Sequence, residues 1–310
     1  MPTYFEGPEK KVELVTTLEL RELGDDFWRG VVAASGAQVL SILRSSHCDA
    51  YLLSESSLFV FDRYITMITC GQTRLVDAIE LLVERLGREN IALLMYERKN
   101  EHFPERQPTS FYEDAQRLNA LVGGEALRFG DAAGHHVLLF HSRAPYAVHA
   151  DDTTLEILMH GIPHEIAERF VDCGTVKSVA SDIGLSKLMP SFSVDEHAFE
   201  PAGYSMNGLD GENYYTVHVT PERIGSYVSF ETNLDFRANF SALVGGVVEI
   251  FHPRSFDVMA FVPKGDELTL SLPGIRMRDR VRTTVHGYDI AYWQGYRPVG
   301  TPRAPFTLPL

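Results

Sequence analysis

The stretch Ala50-Tyr51-Leu52-Leu53-Ser54-Glu55-Ser56-Ser57-Leu58-Phe59-Val60-Phe61 sets a hydroxyl-rich pentapeptide, Leu53–Ser57, between two apolar, strand-like runs. Taken alone, this predicts a β-hairpin whose polar residues face water. Working outward, further strands are predicted at Val12–Thr16, Val39–Leu43, Tyr64–Thr69, Ile91–Tyr96, Val137–His141, Tyr214–Val219, Tyr227–Glu231, Phe256–Phe261, Leu268–Leu272 and Arg282–Tyr288. Two segments have helical spacing instead. Leu75, Ile79, Leu82, Val83 and Leu86 recur on one face and end at Gly87; Phe240, Leu243, Val244, Val247, Val248 and Phe251 do so and stop before Pro253. Shorter helices are predicted at Asp26–Ala34, Thr109–Leu121 and Pro163–Val171, and Arg98–Pro108 reads as an exposed loop. Short strands that adjoin as hairpins point to antiparallel sheets with helices on their outer faces, an α+β chain.

The 310 residues suffice for one large domain or two ordinary ones, and no long disordered linker interrupts them, so a single domain over 1–310 is expected. Hydrophobic residues at 45% and charged residues at 23% are ordinary for a soluble globular protein. No apolar run reaches the length of a membrane span, and Met-Pro-Thr-Tyr-Phe-Glu is not a secretory leader. Cys48, Cys70 and Cys173 form neither a disulfide framework nor a metal spacing, so no metal site is expected and a cytoplasmic location fits. With 28 basic and 42 acidic residues the net charge is −14, and no basic cluster suggests nucleic acid or an anionic membrane. An acidic protein suits a cationic small-molecule ligand better.

The pentapeptide keeps company with other motifs in order along the chain. Phe5-Glu6-Gly7-Pro8-Glu9-Lys10 opens the series, and Thr69-Cys70-Gly71 follows the hairpin. Gly203-Tyr204-Ser205-Met206-Asn207-Gly208, His218-Val219-Thr220-Pro221-Glu222 and Tyr227-Val228-Ser229-Phe230-Glu231-Thr232-Asn233 come later. Together these resemble the eukaryotic-type S-adenosylmethionine decarboxylases, from residue 4 to about residue 233. The resemblance implies a four-layer αββα sandwich built by internal duplication. Both halves here do run strands, amphipathic helix, strands.

The resemblance also implies chemistry. Ser56 Oγ attacks the carbonyl of Glu55, and elimination leaves a pyruvoyl group at position 56. The chain is thereby cut into a 1–55 β chain and a 56–310 α chain that remain associated. A homodimer of the cleaved pair is one possible assembly. An unactivated serine needs strain, an oxyanion donor and a base. The implied partners are His218 as the base for elimination and Ser205 as a donor near the reacting carbonyl. Decarboxylation of S-adenosylmethionine leaves a carbanion that no ordinary side chain can delocalise. The pyruvoyl ketone, joined to the substrate amine as a Schiff base, is the implied electron sink, and Cys70 the implied proton donor. Phe5 and Phe199 match the aromatics that sandwich adenine, Glu222 the acid that accepts from the ribose hydroxyls, and Glu55 lies at the substrate. Glu6 and Glu9 lie near the active site by the same resemblance, with Glu9 the better candidate for influencing catalysis.

Some members of that family are stimulated by putrescine in an acidic pocket. Glu13, Asp152, Glu156 and Glu231, with Thr154 beside them, match that pocket. Two positions depart from the stimulated pattern: Ile68 stands where it has lysine, and Lys11 where it has leucine. On a strand, Lys11 shares a face with Glu9 and Glu13, so either its ammonium neutralises the pocket or the residue sits at the solvent edge. Two rivals follow from the same motifs, a catalytically inactive paralogue that activates a partner and a pyruvoyl decarboxylase of another amino acid. The presence of Ser56, Cys70 and His218 argues against the first, and of Phe5, Phe199 and Glu222 against the second.

Overall fold

The structure is a computed structural model and describes residues 5–171, 179–222, 225–278 and 280–298. Residue 4, Cys173 and the Pro302–Leu310 tail lie outside the described residues. The first half forms an 8-stranded sheet from β1 (Lys10–Thr16), β2 (Val39–Arg44), β3 (Asp49–Leu53), β4 (Ser56–Val60), β5 (Tyr64–Thr69), β6 (Ile91–Lys99), β7 (Gly124–Gly130) and β8 (His136–Ser142). The second half forms a 9-stranded sheet from β9 (Thr154–His160), β10 (Ser193–Ala198), β11 (Tyr204–Asp210), β12 (Asn213–Thr220), β13 (Tyr227–Thr232), β14 (Ser255–Pro263), β15 (Arg276–Met277), β16 (Val281–Val285) and β17 (Tyr288–Tyr296). The helices are α1 (Asp25–Ala34), α2 (Leu75–Leu86), α3 (Phe111–Val122), the short α4 (His164–Ala167), α5 (Val179–Asp182) and α6 (Leu185–Leu188), and α7 (Phe240–Phe251).

The duplication is written in the topology. The first sheet runs β2-β3-β4-β5-β1-β6-β8-β7, the second β10-β11-β12-β13-β9-β14-β17-β15, with β16 also paired to β17. With β9 as the first strand of its half, the two orders coincide, and α2 and α7 follow equivalent strands β5 and β13. Strand alternation then builds four layers. Val12 and Leu14 of β1 join α1, α2 and α3 through Trp28, Ile79 and Leu118. Leu155, Ile157 and Met159 of β9 join α7 through Val244 and Val247. The opposite faces meet each other, with Leu93, Met95 and Leu139 against Leu158, Met259 and Ile290. Each sheet is thus covered on both sides, which is why its strands carry few exposed polar positions.

Local chemistry sets the helix ends. Gly87 leaves α2 at a φ of 83°, and Ser110 caps α3 in a reciprocal capping box with Glu113. His252, in the left-handed region, ends α7 one residue before Pro253.

Several expected elements differ. Leu268–Leu272 is not a strand, although Leu268 and Leu270 are buried beneath α7, because apolar spacing records burial rather than ladder pairing. Arg282–Tyr288 is two strands, β16 and β17, turned at His286-Gly287. Pro163–Val171 holds only α4 and a 3-10 turn at Glu168–Phe170. The expected loop Arg98–Pro108 begins inside β6: Arg98 and Lys99 are buried strand residues, each with ion-pair partners that compensate its charge. β7, β9, β10, β11, β15 and β17 lie outside the predicted strands; of these β7 and β10 are edge strands whose Gly, Asp and Glu residues carry weak strand propensity. No helix among the described residues is long and apolar enough to cross a membrane.

Candidate active site

The 50–61 hairpin is as tight as a hairpin can be: Leu53 pairs with Ser56 and only Ser54-Glu55 form the turn. A two-residue loop calls for positive φ in the turn itself, usually on Asn or Gly. Here it falls on Ser56, with φ at 124°, a region that disfavours a residue with a Cβ. Contrary to the expectation that the polar residues face water, Ser56 is 1% exposed, and among the described residues its Oγ has no hydrogen-bond partner. A strained, buried, unpartnered hydroxyl is costly, and its position is held by the neighbours rather than by its own contacts.

Ser56 is paired on its other side with Thr69 of β5, which sets Cys70 beside the turn. The Cys70 amide donates to the Glu55 carbonyl at 3.0 Å, and its thiol lies 3.4 Å from the same oxygen. Burial, with Glu55 and Glu9 nearby, pushes the Cys70 thiol well above the usual range, so it holds its proton at neutral pH. Burial also pushes Glu55 up to about 7, partly opposed by Lys10. Two features favour glycine at position 71. Its φ is 61°, and a Cβ there would lie 2.9 Å from a Glu55 carboxylate oxygen and 3.0 Å from the Phe5 ring.

The second sheet contributes the candidate base. Ser205 of β11 and His218 of β12 are register partners, and Ser205 Oγ lies 2.9 Å from His218 Nδ1. His218 Nε2 lies 2.9 Å from Thr216 Oγ1 and 3.3 Å from Ser57 Oγ, while Ser57 donates to Asn207 Oδ1 at 2.6 Å. Burial pushes the imidazole down to about 3, so it is neutral and able to take a proton.

Glu55, Ser56, Cys70, Ser205 and His218 open onto one cavity of about 300 Å³, lined also by Phe5, Phe199 and Glu222. Glu222 accepts from the Phe5 amide, which ties the acid to the aromatic, and burial raises it. Not every candidate lies where expected. Ser205 addresses His218, and the donor at the Glu55 carbonyl is the Cys70 amide. The Glu6 carboxylate accepts from the amides of His102 and Phe103, anchoring that loop rather than lining the cavity. Glu9 is buried behind it, accepts from Ser229 Oγ at 2.6 Å, and is pushed up to about 8 by burial.

Of the residues expected in the acidic pocket, Lys11, Glu156 and Glu231 lie as a buried charge cluster between the sheets. Lys11 Nζ lies 2.8 Å from Glu156 and 3.1 Å from Glu231, with all three buried. Lys99 pairs with Glu97 at 2.6 Å and also with Glu156. Burial pushes Glu156 up, but Lys11 and Lys99 outweigh it and leave the carboxyl at about 2. Asp152 instead accepts from Tyr288, and Thr154 opens β9. Glu13 is pushed up to about 8, first by burial and then by Asp152.

Sequence reasoning missed Lys99, Lys10, Thr216 and Asn207. Lys10 donates to the Gly71 carbonyl and to Gln107 beneath the turn. Two signals were available: Thr216 is in phase with His218 on a strand, and Asn207 lies inside an already recognised motif.

Comparison with known proteins gives a consistent result. The family model described as Adenosylmethionine decarboxylase matches residues 2–294. The S-adenosylmethionine decarboxylase proenzyme of Xenopus laevis is 31% identical, over 93% of this chain and 94% of its own length. That of Dictyostelium discoideum is 31% identical, over 93% and 83%. That of Onchocerca volvulus is 35% identical, over 83% and 76%. Among solved structures, the Trypanosoma brucei AdoMetDC-delta26 monomer superposes with a TM-score of 0.62 at 22% identity, covering 78% of this chain and 99% of that one, a likeness of fold.

Proposed function

Because the chain belongs to the adenosylmethionine decarboxylase family, and is an enzyme that decarboxylates S-adenosylmethionine, we propose that it prepares its own cofactor by cleavage at Glu55–Ser56. The observation that carries this reading is Ser56 itself: buried, held at a φ of 124°, with a free Oγ, beside a carbonyl already polarised by the Cys70 amide. The residues fit a pyruvoyl group made in place.

Ser56 Oγ attacks the Glu55 carbonyl carbon, the peptide C–N bond breaks, and the Ser56 amine takes up a proton, so that an ester replaces the amide. The Cys70 N–H stabilises the oxyanion of that step. His218, neutral and oriented by Ser205, takes the Cα proton of residue 56 as the Glu55 carboxylate departs. Dehydroalanine remains, and hydrolysis with loss of ammonia gives the ketone. Residues 1–55 stay bound because β1 is an interior strand, laddered to β5 and β6.

Once formed, the pyruvoyl group supplies an electron sink for the carbanion left when CO2 departs. Phe5 and Phe199 hold the adenine, and Glu222 the ribose hydroxyls. The Cys70 thiol delivers a proton to the substrate Cα. The product is the aminopropyl donor used in polyamine synthesis. We further read the Lys11, Glu13, Asp152, Thr154, Glu156 and Glu231 set as the regulatory pocket, with Lys11 as its built-in cation.

Intact mass of the purified protein tests the proposal. Cleavage should give fragments of roughly 6 and 29 kDa, the larger with a blocked N-terminus, and Ser56→Ala should stay whole. A single full-length species after prolonged incubation of the unmodified chain would reject it.

A further inference from the structure

Away from that cavity, three side chains from separate segments converge between the sheets. His160 is the last residue of β9, Asp257 lies on the adjacent strand β14, and His135 comes from the turn before β8 of the other sheet. Their donor atoms lie within 4.8 Å of one another. Asp257 Oδ2 is 3.2 Å from His135 Nδ1 and 3.6 Å from His160 Nε2. Zinc bonds of about 2.0–2.1 Å at tetrahedral angles put neighbouring ligand atoms about 3.3 Å apart, so these two edges are already close to those of a metal tetrahedron.

Two further features separate this cluster from a simple histidine–aspartate contact. His160 is only 7% exposed, yet among the described residues its Nε2 has no hydrogen-bond partner, with Asp257 Oδ2 just beyond that range at 3.6 Å. A buried ring nitrogen left without a partner is unfavourable, and a bound ion removes that penalty. The remaining ligand atoms are also held from behind. Asp257 Oδ1 accepts from Tyr292 at 3.0 Å, and Tyr292 accepts from Gln294 at 2.8 Å, leaving Oδ2 for the centre. Ser255 Oγ lies 3.5 Å from His135 Nε2, on the far side of that ring. Such outer contacts fix tautomer and orientation in metal sites.

We propose that His135 Nδ1, His160 Nε2 and Asp257 Oδ2 form a binding site for a first-row divalent cation, zinc by its ligand set. Two imidazoles and one carboxylate leave coordination positions open. Those positions face a cavity of about 760 Å³ that His135 and His160 line together with Arg254, Arg276 and Arg278. A water or a small anion fills the fourth position. The site joins the two sheets, so the ion acts as a clasp between halves. No cysteine belongs to the site, and cysteine spacing could not have disclosed it.

The test uses the full chain after dialysis against a chelator, with Zn2+ by calorimetry and Co2+ by visible absorption. One equivalent should bind, with weak d–d bands and no thiolate charge-transfer band. His135→Gln, on a turn and half-buried, should keep the fold by circular dichroism and weaken binding at least tenfold. Asp257→Asn should do the same while preserving shape. Binding unchanged in a folded His135→Gln protein, a strong thiolate band, or no bound equivalent would overturn the proposal.

Discussion

The amide nitrogen and the thiol of Cys70 both address one atom, the carbonyl oxygen of Glu55, at 3.0 and 3.4 Å. In the proposed mechanism one residue serves two steps through two different groups. Its backbone would polarise the carbonyl to be attacked, and its side chain would supply a proton once that carbonyl has gone.

Cys70→Ala separates the steps. It keeps the amide, so cleavage should proceed at close to the normal rate. It removes the acid, so decarboxylation should fall by about 10²-fold or more. Misprotonated turnovers should also consume the pyruvoyl group by transamination. Fragment yield on a gel, set beside the initial rate of CO2 release, checks both. Normal turnover and lifetime in this variant would identify another group as the acid.

Gly71→Ala should harm the site from the other side of the same turn. The added methyl meets Glu55 and Phe5 at about contact-forbidden range, and φ at 61° is itself strained for alanine. The expectation is a lower melting temperature, slower cleavage and, in whatever is cleaved, a raised KM. A variant with unaltered cleavage and KM would show that the turn relaxes freely.

In the proposed regulatory pocket the built-in cation is Lys11, which is the register partner of Ile68 on the neighbouring strand. The resembled putrescine-stimulated pattern has leucine and lysine at these two positions, so the cation has crossed one rung of the ladder. The unmodified enzyme should show little stimulation by putrescine. Lys11→Leu strips the ammonium from Glu156 and Glu231, both buried, at a cost of about 3 kcal/mol, toward the low end for a broken buried pair because Lys99 remains on Glu156. Activity at neutral pH should fall and recover in part with added putrescine. Initial rates with and without the diamine decide it; indifference of Lys11→Leu to both changes would sink the mechanism.

The buried imidazole of His218 gives a pH dependence with a definite sign. Its folded value, about 3, lies below the ordinary histidine value of 6.5. Between these limits the unfolded chain binds the extra proton and the folded one does not. Stability therefore falls as pH drops from about 6.5 toward 3, by up to about 1.4 kcal/mol per unit from this group, and is flat above that window. In the uncut Ser56→Ala background, His218→Gln should lose stability less steeply than the parent over that range. Denaturant midpoints from pH 4 to 7 measure the difference, and parallel curves would show that His218 is solvated.

The sequence by itself determined a great deal. Helical spacing placed α2 and α7, strand alternation placed most of the inner ladder, and the ordered motifs marked Ser56, Cys70, Ser205 and His218 as one set. In-phase alternation on β1 also put Lys11 on the face of Glu9 and Glu13. Those signals are local, since a side chain's face follows from its position in its own strand or helix. What only the tertiary structure decided is which faces meet. Lys99 read as part of a solvent loop, yet the two sheets close over it and make its charge the second counter-ion of Glu156. The Ser57–Asn207–Thr216–His218 chain joins β4 to β11 and β12 across the sheet interface. His135, His160 and Asp257 are far apart in sequence and come together only between the sheets. Even the strain on Ser56 is tertiary. A serine prefers negative φ, and it is the ladder to Leu53 and Thr69 on either side that holds it at 124°.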